Sequence, residues 1–304
     1  MRKLIFHPIV IFSLAILFSA CSDTSTSGTT EGKTEQKQEI EFKPKEGVYD
    51  TDRKENIKQI FHSLPSPVEM ADIIKKTGSA FDQSILNDPA NVSKYVTSSQ
   101  QAINLGIYGA DLSYASIFEQ DRQSLNYLDA VQEIANSLDV GAAINKQTFD
   151  RLKANQNNKD SLMGIITETY WNINAYLKEN ESREETSALV IAGGWLEGLH
   201  LAGNHYIPGN KELHERIADQ KNTLKNLMDL MDTYSSASLN GIKADLKDLS
   251  VLYEDVNIIK GKTTKEKDAS GTMVIGGSKE VSMDDVTLQK VLSKIKDIRN
   301  NYIN

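Results

Sequence analysis

With 304 residues, 39% of them hydrophobic and 25% charged, the chain has enough apolar content to bury a sizeable core, which argues against disorder throughout. Lys and Arg number 34 against 42 Asp and Glu, and the net charge of −8 becomes −10 once Arg2 and Lys3, and no acid, leave with residues 1–20. An acidic surface without a basic stripe repels phosphate backbones, so nucleic acid is excluded as a partner.

The first residues read as an export leader. Arg2 and Lys3 precede an apolar run from Ile9 to Phe18, which is too short to span a bilayer, and Leu17-Phe18-Ser19-Ala20 lead into Cys21. Small residues ahead of a Cys resemble the lipobox of type II bacterial signal peptides, in which the thiol receives a diacylglycerol and the new α-amine an acyl chain. Phe18 departs from the aliphatic residue usual there. Cys21 is the sole cysteine, so it has no intrachain disulfide partner, in keeping with lipidation. Several acyl chains at ~0.8 kcal/mol per buried CH₂ anchor a protein stably. Ser22 after the Cys favours the outer membrane, facing the periplasm or the surface.

The expected organisation is a signal peptide at 1–20, a polar linker at 21–50 and a helical domain at 51–304. The linker is too poor in large apolar side chains to fold alone; as a coil, ~28 residues span about 30 Å. Ile57, Ile60, Phe61 and Leu64 have helical spacing over 53–63. Ser66-Pro67-Val68-Glu69 is a capping box with Pro at the first helical position, and Gly78 is a stop. Asp88-Pro89 opens a unit leading to a long helix over 92–120. Further helices are expected near 122–139, 148–155, 158–180, 183–206 (capped from Ser182 and ended by Pro208), 210–234 and 239–257. Short connections favour antiparallel neighbours, hence an all-α bundle. Residues 260–282 break the pattern: 260–271 is charged and loop-like, and a small β-hairpin is expected near 272–281 around Gly276-Gly277. Asp284 and Asp285 then start a last helix through Val286, Val291, Leu292, Ile295 and Ile298.

Two glycine-rich helical segments stand out, one from Asn104 to Ala115 and one from Ala192 to Ala202. Glycine within a helix costs about 0.5–1 kcal/mol relative to Ala, so Gly193, Gly194 and Gly198 need a reason. Gly106, Ala110 and Ser113 form one stripe of small residues, and Gly194, Gly198 and Ala202 another, which suits close helix packing at the bundle centre. The segments also align at an offset of 87 residues (Gly106 with Gly193, Tyr108 with Trp195), which leaves a duplication open.

Glu197 and His200 form the Glu-x-x-His pair used by di-iron bundles, but such a site needs a second pair and two more Glu, and the sequence has no second pair. Thr186, Gly193, Glu197, His200 and Asn204 fall in one narrow polar stripe, expected at the helix's solvent edge, and Asp111 with Gln100 and Asn104 likewise. A ligand site would need Asp111, Glu197 and His200 to converge. Asp111 lies ~140° from Gly106 and Glu197 ~60° from Gly194 on their wheels, which argues against convergence at a crossing made by those glycines. Trp195, Tyr108 and Tyr114 are expected in the core, and His62 and His214 on solvated faces. No P-loop, dinucleotide fingerprint, Gly-x-Ser-x-Gly, His-Glu-x-x-His or EF-hand loop is present.

The runs Ser63-Leu-Pro-Ser-Pro-Val-Glu-Met70, Asn104-Leu-Gly-Ile-Tyr-Gly-Ala-Asp-Leu-Ser-Tyr114 and Ala192-Gly-Gly-Trp-Leu-Glu-Gly198 resemble those of helical lipoproteins from Bacteroidota-type Gram-negative bacteria, over about 53–235. The resemblance implies an envelope location and no particular activity. The leading expectation is a lipid-anchored, non-enzymatic binding or structural module with no cofactor and no metal, whose partners are the membrane and an envelope protein or glycan. The alternative is a metal- or small-ligand-binding protein, or an enzyme, built on Asp111, Glu197 and His200.

Overall fold

The computed structural model describes residues 67–140, 146–155, 158–179, 184–267 and 273–304; the expected leader, linker, helix at 53–63 and Ser182 cap lie outside these. Among the described residues the fold is an all-α bundle of nine helices carrying one two-stranded hairpin.

Local signals set the helix ends. Helix α1 (Pro67–Lys76) starts on its proline and closes with Lys75 and Lys76, and Gly78 at φ +80° turns the chain away. Residues 77–97 then run irregularly through two 3₁₀ turns, Gln83–Ile85 and Pro89–Lys94, each capped by an aspartate, Asp82 and Asp88, that accepts from the amide two residues on. The long helix expected from 92 begins at 98 instead: Thr97 and Gln100 cap each other reciprocally and start α2 (Ser98–Ile117). After Glu119 at φ +58° the chain reverses into α3 (Asp121–Ser137). There follow α4 (Lys146–Ala154), α5 (Lys159–Glu179), α6 (Glu184–His205) and α7 (Lys211–Asp232), whose first turn is capped by Asn210.

Helix α8 (Asn240–Leu252) ends five residues short of the expected 257, with Lys221 donating to the carbonyls of Glu254 and Val256 just beyond it. Strands β1 (Asn257–Lys267) and β2 (Met273–Ser282) pair antiparallel from Asn257↔Ser282 to Lys267↔Met273. The turn is therefore not at Gly276-Gly277, which sit within β2 opposite Thr264 and Thr263; the connection at 268–272 lies outside the described residues. The run after 257 forms a strand despite its charges because Ile258, Ile259, Thr263 and Thr264 supply the β-branched content that strands favour. Helix α9 (Asp285–Ile303) is capped by Asp284, which accepts from the Thr287 amide.

Helix α3 runs antiparallel to α2, with Tyr127 beside Tyr108 and Ser124 beside Ser116, and α9 runs antiparallel to α8, with Tyr302 on Asp245 and Lys294 on Asp248. Helix α1 instead runs parallel to α2 and α6, with Pro67 beside Gly194, Met70 beside Gly198 and Lys75 on the Ile117 carbonyl. The two glycine-rich helices, α2 and α6, are buried on nearly every side and form the centre of the bundle. They run parallel, Ile103 lying against Gly193 and Tyr114 against His205. Three helices intervene, and an odd number of reversing helices returns the chain in its starting direction. The approach is close enough that a Cβ on Gly106 would lie 2.6 Å from the Gly194 nitrogen and run into the Val190 carbonyl, while one on Gly193 would run into the Ile103 carbonyl. Gly198 lies instead beside Met70 of α1, and Ala110 and Ala202 are buried.

Candidate functional site

Through their middle turns, helices α2 and α6 are buried all round, so the polar side chains there have no solvent edge to occupy. Asn104, Asp111 and Glu197 are fully buried and His200 is 6% exposed, which overturns the solvent reading for these four, whereas Gln100 and Asn204 at the ends of the two stripes are exposed as expected. Asp111 and Glu197 also converge, against the wheel argument. That argument centred the crossing on Gly194, but the tightest contact on α6 is Gly193, from which Glu197 is one turn on. On α2 the contact includes the Ile103 carbonyl as well as Gly106. Such close backbones let short acids at the next turn meet.

The cation paired with Glu197 comes from the last helix. Arg299 donates from Nε to Glu197 Oε2 and from Nη2 to Oε1, both at 2.9 Å, a bidentate pair with neither side chain more than 6% exposed. Burial works against the guanidinium charge, and Glu197 and Asp111 outweigh it, so the pKa of Arg299 is raised. The same Nη2 reaches the carbonyl of Ile85 at 3.1 Å, and His200 Nε2 meets that oxygen at 3.1 Å. Burial holds the His200 pKa below the ordinary imidazole value, so the ring is neutral and its Nε2–H donates to Ile85. Asp111 Oδ2 accepts from the amide of Asn87 at 3.1 Å.

Ile85 and Asn87 belong to the irregular segment between α1 and α2, which explains why the polar cluster exists. A segment outside helix and strand must still satisfy its backbone groups when it is covered. Here α2, α6 and α9 supply the partners. Tyr114 Oη accepts from the Asp82 amide at 2.9 Å, and Tyr108 Oη donates to the Asp88 carbonyl at 2.8 Å. The side chain of Asn87 donates to Tyr95 Oη and to Asn104 Oδ1, and Asn104 donates to the Tyr302 carbonyl at 2.9 Å, drawing in the end of α9. Since Tyr114 oxygen already accepts an N–H, its own proton points to His205 Nε2, 2.7 Å away. His205 is lowered chiefly by burial and stands neutral as the acceptor.

The candidates are thus brought together, but onto the protein's own backbone. Among the described residues no group of three or more His, Cys, Asp or Glu is placed to hold a metal ion. An apolar cavity of about 40 Å³ lies elsewhere, between α1, α2, α3, α5 and α6, lined among others by Pro67, Gly109, Leu128, Ile166, Tyr170 and Val190. An open depression of about 350 Å³ includes Tyr206, Asn210, His214, Asp284 and Asp285; His214 is half-buried there with its ring 6.2 Å from Tyr206, rather than fully solvated. Trp195, Tyr108 and Tyr114 are in the core, Trp195 donating to Gln220 at 3.0 Å; His62 is outside the described residues.

Sequence reasoning missed Arg299, although it stands four residues after Ile295 in the apolar register of α9, where a lone arginine signals a buried partner. No protein-family model, curated protein or solved structure matches the chain.

Proposed function

We propose that the chain is a non-enzymatic helical module of the cell envelope, held to a membrane by lipid on Cys21 and acting through contact with an envelope protein or glycan. The observation that carries the non-enzymatic part is the fate of Asp111, Glu197 and His200, whose polar atoms face Asn87, Arg299 and Ile85 inside the core rather than an open cleft. A catalytic or ligand site needs polar groups converging on an accessible concavity, and the apolar cavity is lined by none of these three. The anchor rests on the layout around Cys21, and among the described residues no helix is long and apolar enough to cross a membrane.

One experiment reads both parts. Protein extracted from envelopes in detergent and examined by native mass spectrometry should begin at Cys21, carry the mass of attached acyl chains and hold no stoichiometric metal. An unacylated terminus would end the anchor reading. Near one equivalent of zinc or iron, lost on both Glu197→Ala and His200→Ala, would replace the binding-module reading with the ligand-site alternative.

A further inference from the structure

Two carboxyl groups and one guanidinium share the same buried volume. Glu197 spends both oxygens on Arg299, and Asp111 lies beside it within hydrogen-bonding reach. Asp111 Oδ2 takes the Asn87 amide, while Oδ1 is closed off from solvent with no donor directed at it. An ionised Asp111 would therefore hold a charge in the core with one half of its carboxylate unsatisfied and a second carboxylate as neighbour. A protonated Asp111 has a hydroxyl to donate, and the acceptor beside it is Glu197.

We propose that Asp111 is carried as a neutral carboxylic acid sharing its proton with Glu197, so that the side chain on which the Asn87 amide rests holds no charge in the core. The groups facing Asp111 are Glu197 from α6, Arg299 from α9, the Asn87 amide and Tyr95 from the segment, Tyr108 from its own helix and Tyr127 from α3. His200 faces Glu197 and Arg299, with its ring on the Ile85 carbonyl. The three tyrosines are pushed upward mainly by burial and remain neutral, so Arg299 is the cation set against two acids. Desolvation first, then Glu197, raises the Asp111 pKa well above the carboxylate range, with Arg299 and the Asn87 amide pulling the other way.

The sign follows from linkage. The folded state keeps a proton that the unfolded chain releases above about pH 4, so the stability it brings is complete below that pH. As pH rises towards the raised folded value, each unit costs about tenfold in the folding constant. The full-length protein and Asp111→Asn should be unfolded with urea at closely spaced pH values from about pH 4 upwards. Asn keeps an acceptor for the Asn87 amide and offers an N–H to Glu197 without a titrating proton. The wild-type folding constant should fall about tenfold more per pH unit than that of the variant. Equal slopes would overturn the proposal. Infrared spectra keep it falsifiable should the variant not fold: the wild type should show a protonated-carboxyl band at neutral pH, and its absence would refute a neutral Asp111.

Discussion

Gly106 and Gly109 stand three residues apart on α2, and replacing each by Ala should move stability in opposite directions. At Gly106 the new Cβ would lie 2.6 Å from the Gly194 nitrogen and still closer to the Val190 carbonyl, both backbone atoms that cannot rotate away. Ordinary carbon–oxygen contacts start near 3.3 Å, so α2 and α6 would have to part by about 1 Å. Overpacking of that kind costs ~1–3 kcal/mol, and the rigid neighbours put it at the upper end. Removing a helical glycine returns about 0.5–1 kcal/mol, leaving Gly106→Ala about 2 kcal/mol less stable. At Gly109 nothing lies within 4 Å of the added methyl, which borders the apolar cavity, so only the propensity gain remains. Urea denaturation followed by far-ultraviolet circular dichroism should then separate the two variants by about 2.5–3 kcal/mol. In a domain of this size that corresponds to a difference of about 5–12 °C in Tm. If Gly106→Ala proved as stable as Gly109→Ala, the close parallel crossing would be wrong.

Two further outcomes follow from the buried cluster. His200 is neutral in the fold because burial lowers its pKa, so below about pH 6.5 the unfolded chain takes up a proton that the folded ring refuses. His200→Gln, which keeps a donor for Ile85, should therefore lose less stability than wild type on acidification through that range; parallel curves would show that the ring is not buried neutral. Arg299→Met leaves Glu197 buried without its cation and should cost ~3–5 kcal/mol by thermal or urea unfolding, with a cost under about 1 kcal/mol contradicting the burial of the pair.

Much of the fold is readable from local chemistry. Pro67 and Gly78 bracket α1, Asp88-Pro89 marks a capped turn, and Asp284 starts the last helix, because each of these acts within a few residues of itself. The start of α2 was missed because the apolar Val92 extends the helical pattern upstream, whereas the reciprocal Thr97 and Gln100 cap ends it. The site was harder, since periodicity shows that Glu197, His200 and Asn204 share a stripe but not whether the stripe meets water or other polar groups. The usable signal was the surrounding composition: the stretch of α6 from Ser187 to Ala202 is apolar on every face and so is buried on every face, Glu197 and His200 with it. Glu197 and Arg299 are 102 residues apart, and no local rule joins them. The need for partners arises from the backbone of 77–97, whose hydrogen-bonding demands appear only once that segment is laid across the helices.

The central claim is that Asp111, Glu197, His200 and Arg299 form an internal staple for that segment rather than a site for a ligand. Hydrogen–deuterium exchange on Arg299→Met, at a denaturant-free pH where the variant stays folded, tests it most directly. The account predicts faster exchange at the amides of Asp82 and Asn87, which rest on Tyr114 and Asp111, while the paired helices α7 and α8 keep wild-type protection. Unchanged exchange at Asn87 in a folded Arg299→Met protein would contradict it.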